Sequence, residues 1–214
     1  MKRFLVAAAL IAAALFSFAP AAGAQVFGQF TGAEVLPVNG HETGAYLVAS
    51  DNVLGLVGQL RMSFYPGVDF GFQGGLSRLR YGSSDRTLVR LGGDFKIAAA
   101  KASASFPVDL ALGGAIGIET SDDYHVLTLM PQAVASHAYP VGQSMSVTPY
   151  LGTGLTIRNV DAGPTQDNSL SVPLRLGADM RVMTGVRITA ELQLQVANSF
   201  GDNVGFLTGV NLPF

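Results

Sequence analysis

The chain contains no cysteine and no tryptophan, it is short of charge, and beyond its first residues it has no run of 18 apolar residues. Without cysteine it cannot be a disulfide-stapled secreted module, and it lacks the residue on which a lipoprotein is anchored. Charged residues make up 13% of 214, where soluble domains carry about 25%. Setting Lys2 and Arg3 aside leaves 11 basic residues against 15 acidic, a net charge of −4 that argues against a nucleic-acid partner. There is no histidine pair at ligand spacing and no calcium-loop pattern, so no metal and no cofactor is expected. The glycine pairs Gly74-Gly75, Gly92-Gly93 and Gly113-Gly114 sit inside strand-like segments with no helix to follow, which is not how a phosphate loop is built.

What is present begins with MKRFLVAAALIAAALFSFAPAAGAQ. Two cations, an apolar run from Phe4 to Phe18 and the small residues Ala22-Gly23-Ala24 read as a secretory signal peptide over 1–24, cut before Gln25. Residues 25–41 carry no clear period. They read as a periplasmic lead-in, with entry into a lumen as a partial plug left open, and 42–214 form one domain.

In that domain the residues alternate. Val186, Ile188, Ala190, Leu192, Leu194 and Val196 interleave with Arg187, Thr189, Glu191, Gln193 and Gln195, which is the period of a strand with one apolar and one polar face. The same period predicts ten strands, near 43–50, 53–64, 68–81, 86–99, 107–119, 125–138, 145–158, 170–182, 186–198 and 203–214. Eight is the alternative count, reached when 43–50 and 125–138 are dropped, the latter because Pro131 and mixed alternation blur its faces. A faint repeat in which Tyr65-Pro66, Phe106-Pro107 and Tyr139-Pro140 each lead into a strand has the spacing of one up-and-down pair.

Alternation alone suits a soluble sandwich as well as a membrane barrel. The charges and aromatics separate the two. Arg61, Asp69, Arg90, Asp94, Lys96, Asp109, Glu119, Arg158, Arg175, Asp179, Arg181, Arg187 and Glu191 fall on the polar faces, while Phe64, Tyr65, Phe106, Tyr139 and Phe214 mark one set of strand ends and Tyr81, Tyr124 and Phe200 the other. Two rings of aromatics are what a bilayer's interfaces select. With the signal peptide, the even strand count and the final Phe214, the chain resembles the small bacterial outer-membrane β-barrel proteins over its whole mature length. The resemblance implies an all-β fold, an antiparallel up-and-down transmembrane β-barrel of about ten strands. It also implies outer-membrane lipid as surroundings and recognition of the last strand by the outer-membrane assembly machinery. On that pattern Phe214 is the terminal aromatic and Phe206, Val210 and Leu212 are the alternating apolar positions, from which Thr208 and Pro213 depart. The short turns at Tyr65–Gly67 and Met183–Gly185 would then be periplasmic. Asp51, Asp85, Asp122, Asp123, Asp161, Asp167 and Asp202 would lie in the outer loops.

Two clusters invite a catalytic reading. Asp122, Asp123 and His125 could activate water in principle, but they read as solvated turn residues. Ser136-His137 invites comparison with lipid-A deacylases, whose histidine precedes the serine; here the order is reversed, and His137 beside Tyr139 reads as interfacial. The thirteen lumen charges, seven basic and six acidic, are balanced enough to pair across strands in a bore only slightly wider than one that side chains fill. The expectation is therefore a non-enzymatic barrel with a structural or surface-interaction role and a narrow lumen. The alternative is a small ion or solute channel, and a hydrolase is the third class. Deleting Phe214 is expected to impair membrane assembly while leaving export intact, scored by fractionation of cells; normal assembly of that variant would remove the case for a terminal signal.

Overall fold

The computed structural model describes residues 31–50, 52–81, 84–142, 145–163, 165–183, 185–196 and 204–214. The expected signal peptide, residues 25–30 of the lead-in, Asp51 and the segment holding Phe200 and Asp202 lie outside these described residues.

The described chain runs β1 His41–Ser50, β2 Val53–Tyr65, β3 Val68–Tyr81, β4 Ser84–Ala100, β5 Asp109–Ser121, β6 Tyr124–Ser136, the two-residue β7 Tyr139–Pro140, β8 Ser146–Gly154, β9 Thr156–Ala162, β10 Thr165–Met183, β11 Val186–Val196 and β12 Val204–Pro213. All pairings are antiparallel, and β12 returns to β1 with Ala45 opposite Val210 and Ser50 opposite Gly205, so the sheet closes on itself. β8 and β9 lie between the same two neighbours, β6 and β10, and make a single wall strand interrupted at Leu155. Counted that way, ten strands form the wall, the number the alternation predicts.

The interruption has a visible cause. β6 stops pairing with β9 at Leu129 and takes up β8 at Gln132, while β10 leaves β9 at Ser171 and takes up β8 at Leu174. Each gap contains a proline, Pro131 on one side and Pro173 on the other, and neither has an N–H to give the ladder. Leu155 keeps one bond through its own N–H to the Pro131 carbonyl at 3.0 Å.

Both termini of the wall lie at one end, here the lower, with the β2–β3, β4–β5, β6–β8 and β10–β11 connections. The upper end carries the hairpins after β1, β3, β5 and β9. Alternation sends one set of side chains into the bore and the other out, with an unusual sorting: among the described residues 34 large apolar side chains are exposed, against 15 buried hydrophobic residues. Leu47, Leu54, Phe72, Leu91, Ile116, Leu151, Ile188 and Phe206 belong to the outer set. A soluble domain buries such residues, whereas a wall that meets hydrocarbon must display them. The fold is therefore a membrane-spanning barrel, and single-chain barrels of this kind span the bacterial outer membrane.

The inner side is crowded by tyrosines laid across glycines. Tyr46 passes so near Gly209 that a Cβ there would sit 2.2 Å from the ring, and Gly177 is placed the same way under Tyr150. Larger residues at these two positions would collide with buried rings that themselves fill the lumen.

Candidate functional site

Among the described residues, polar groups gather out of water in the lumen, so the site is built from inward strand positions. Arg175 on β10 donates from Nε and Nη2 to Glu191 on the adjacent β11 at 3.0 and 2.6 Å, and from Nη1 to Gln132 Oε1 at 2.8 Å. Glu191 also accepts from Tyr150 at 2.6 Å and from Gln193 at 2.6 Å, so both of its oxygens are used twice. Arg61 on β2 bridges Asp69 and Asp94, the latter at 2.8 Å, and Gln73 donates to the other Asp94 oxygen at 3.0 Å. Arg90 pairs with Glu119 across β4 and β5. Arg187 pairs with Glu42 and lies 3.9 Å from Asp179, which accepts from Thr189 at 2.6 Å.

Of the thirteen charges placed on polar faces from the sequence, ten are buried here, five basic and five acidic. Their charges cancel. Desolvated ions are tolerated only when paired and hydrogen-bonded, and neighbouring strands supply both conditions because cross-strand positions sit side by side. The remaining three are not fully buried. Asp109, half-buried at the lower rim, accepts from the Ala102 N–H at 2.9 Å; exposed Arg181 reaches Glu34 at 3.3 Å; Arg158 is half-buried higher in the bore.

One further part of the interior carries no charge. Toward the upper end, Val53, Leu79, Leu88, Tyr124, Val126 and Val160 point inward and pack together as an apolar cap. Tyr124, expected in the upper aromatic ring, is thus buried in the lumen instead, because an even position on β6 faces inward. Aromatics do mark the lower rim, where Phe64, Tyr65, Phe106, Tyr139 and Phe214 are exposed and Phe214 lies 5.5 Å from the His41 ring.

At the lower end the chain's own lead-in enters. Of its described residues, 31–33 are buried inside the wall and 34–36 line the lower mouth. Lys96 donates to Thr31 Oγ1 at 2.9 Å, to the Gly32 carbonyl at 3.1 Å and to the Glu34 carbonyl at 2.5 Å. Gly32 N–H reaches Asp179 at 2.9 Å, Ala33 N–H reaches Ser136 Oγ at 3.0 Å, and Leu36 N–H reaches Asp69 at 3.1 Å. Ala33 packs on Ala111, Val134 and Tyr150. A turn at Pro37–Gly40, with Asn39 at φ 61°, then reverses the chain into β1. Beside this segment a cavity of about 650 Å³ opens at the lower mouth, lined among others by Glu34, Lys101, Asp109, Thr148 and Arg181.

The residues weighed for catalysis are occupied otherwise. His125 is exposed and its Nδ1 lies 2.7 Å from Thr120 Oγ1, with Asp122 and Asp123 exposed in the adjoining turn. Ser136 holds Ala33, and the His137 ring stacks edge-on against Tyr139 at 4.6 Å. Among the described residues no group of three His, Cys, Asp or Glu is placed to hold a metal ion.

No model of a known protein family matches the chain, and no curated protein matches it. Among solved structures it is similar to an outer membrane channel from Pseudomonas putida F1, at 12% identity over 85% of this chain and 98% of that one, with a TM-score of 0.45. It is similar also to the beta domain of the Bordetella autotransporter Brka, at 12% identity over 83% of this chain and 100% of that one, with a TM-score of 0.47. The KdgM porin in complex with disordered oligogalacturonate aligns at 10% identity over 81% of this chain and 99% of that one, with a TM-score of 0.36.

Replacing Glu191 with alanine would strand Arg175 and Tyr150 in the lumen. The expected loss is about 3–5 kcal/mol of unfolding free energy, read by urea titration and circular dichroism in detergent. The paired change Arg175→Met with Glu191→Leu should recover most of it, and a loss below about 1 kcal/mol for the single variant would mean that water reaches the pair.

Proposed function

We propose that the protein is a closed, non-enzymatic barrel of the outer membrane, with an envelope-structural or surface-interaction role carried by its wall and rims. One observation carries this reading: the described interior holds an apolar cap toward the upper end, a buried ion-pair network below it, and residues 31–36 at the lower mouth. A water-filled conduit needs continuous polar lining and free width. The buried network then serves to hold adjacent strands in register and to replace water as the lumen's filling. Phe206, Val210, Leu212 and Phe214, exposed along one side of the last strand and its end, are the row we propose for the assembly machinery.

A second reading, a small ion or solute channel, is favoured by the 650 Å³ vestibule at the lower mouth, whose wall is partly the lead-in itself. It requires residues 31–36 to leave and the apolar cap to part. A hydrolase has the least support, since the candidate nucleophile Ser136 is spent on the lead-in and His125 faces outward.

Planar-bilayer recording on refolded protein decides between the first two. The closed reading predicts no stable unit conductance for the wild type. Steady unit steps, altered in size by Arg175→Gln or Glu191→Gln, would replace it with the channel reading.

A further inference from the structure

The outer surface of β3 departs from its own apolar rule near the upper end. Phe72 and Leu76 lie on the lipid-facing side, and the next two positions on that side are Arg78 and Arg80, with 69% and 71% of their side chains exposed. Arg78 stands directly opposite Leu54 of β2, itself 62% exposed, and about 7 Å along the strand from Leu76. The two guanidinium groups therefore begin where the apolar belt ends, at the level of lipid headgroups.

They share one counter-ion. Arg78 Nη2 donates to Asp85 Oδ2, and Arg80 Nε lies 3.7 Å from Asp85 Oδ1, with Arg80 and Asp85 paired across β3 and β4. Among the described residues, two cations against one carboxylate leave a net positive charge. Beside them a cleft of about 170 Å³ is lined by Ser50, Asn52, Leu54, Arg78, Arg80 and Asp85. Leu54 supplies an apolar flank, the arginines supply donors, and the planar fork of arginine matches phosphate oxygens two at a time.

We infer that this cleft is a binding site for the headgroup phosphate of a membrane lipid, and that the lipid is lipid A, the phosphorylated glycolipid of the outer leaflet. The source rests on the outer-membrane reading above. Residues 31–41 and Phe214 share the lower end, and the resemblance to outer-membrane barrels, in which the last strand ends on the periplasmic side, makes that end periplasmic and the upper end extracellular. The arginines then face the outer leaflet. Asp85 orients both guanidinium groups and, as an anion itself, limits how tightly a phosphate is held.

The test uses detergent-refolded full barrel, with folding of each sample first established by its unboiled gel mobility. Retention of lipid A, of dephosphorylated lipid A and of phosphatidylglycerol is then measured by native mass spectrometry for the wild type, Arg78→Gln/Arg80→Gln, Arg78→Lys/Arg80→Lys and Asp85→Asn. The wild type should retain lipid A about tenfold better than its dephosphorylated form, the glutamine pair should lose that preference, and the lysine pair should keep part of it. Asp85→Asn should strengthen retention, a gain that a purely structural Arg–Asp pair would not give. Equal retention of both lipid A forms, or an unchanged preference in the glutamine pair, would overturn the site. Phosphatidylglycerol retained as well as lipid A would overturn the lipid assigned to it. A wild type that shows no folded, fast-migrating form would instead count against the barrel reading on which the inference rests.

Discussion

Closure of β12 onto β1 is the constraint from which the rest of this molecule follows. In hydrocarbon an unpaired N–H or carbonyl costs several kcal/mol, so a sheet crosses a bilayer only when it has no free edge. The register from Glu42 opposite Pro213 to Ser50 opposite Gly205 supplies that seam. Once the ring is closed, a period of two becomes an inside and an outside, and every residue's role is set by parity. Leucines and phenylalanines are exposed because lipid replaces the packed core a soluble domain would need.

The interior then presents the opposite problem. A bore of ten strands is narrow enough to be filled but too wide to be filled by apolar side chains of one size. This chain meets it with three materials: charges that cancel pairwise, tyrosines laid across glycines, and six residues of its own lead-in held by Lys96, Asp179, Ser136 and Asp69. The same buried contacts hold neighbouring strands together.

Wall and lumen were legible in the sequence to different depths. Strand positions follow from a local period of two, and Arg61, Asp94, Arg175 and Glu191 are buried. The split of one wall strand into β8 and β9 was only half visible. Pro131 blurs the faces of β6 in the sequence, but its consequence falls on Leu155, a neighbour in space that no local pattern marks. Tyr124 was misassigned because aromatics at strand ends look alike whether they point in or out, and its parity was blurred by Val126, Met130 and Val134, inward residues that are apolar because they pack against other lumen contents. The path of residues 31–36 was beyond local reading altogether. They have no period of their own and are fixed by side chains such as Asp179, 147 positions away in the chain. Arg78 and Arg80 stand in the sequence as breaks in the lipid-facing row, apart from the polar faces that carry the lumen charges.

The central claim, a barrel closed by its own hydrogen bonds and seated in the outer membrane, is tested most directly by heat-modifiable gel mobility combined with cell fractionation. The account predicts recovery with the outer membrane and a compact unboiled form that migrates faster than the boiled chain. A protein recovered from the soluble periplasm, with mobility indifferent to boiling, would contradict it.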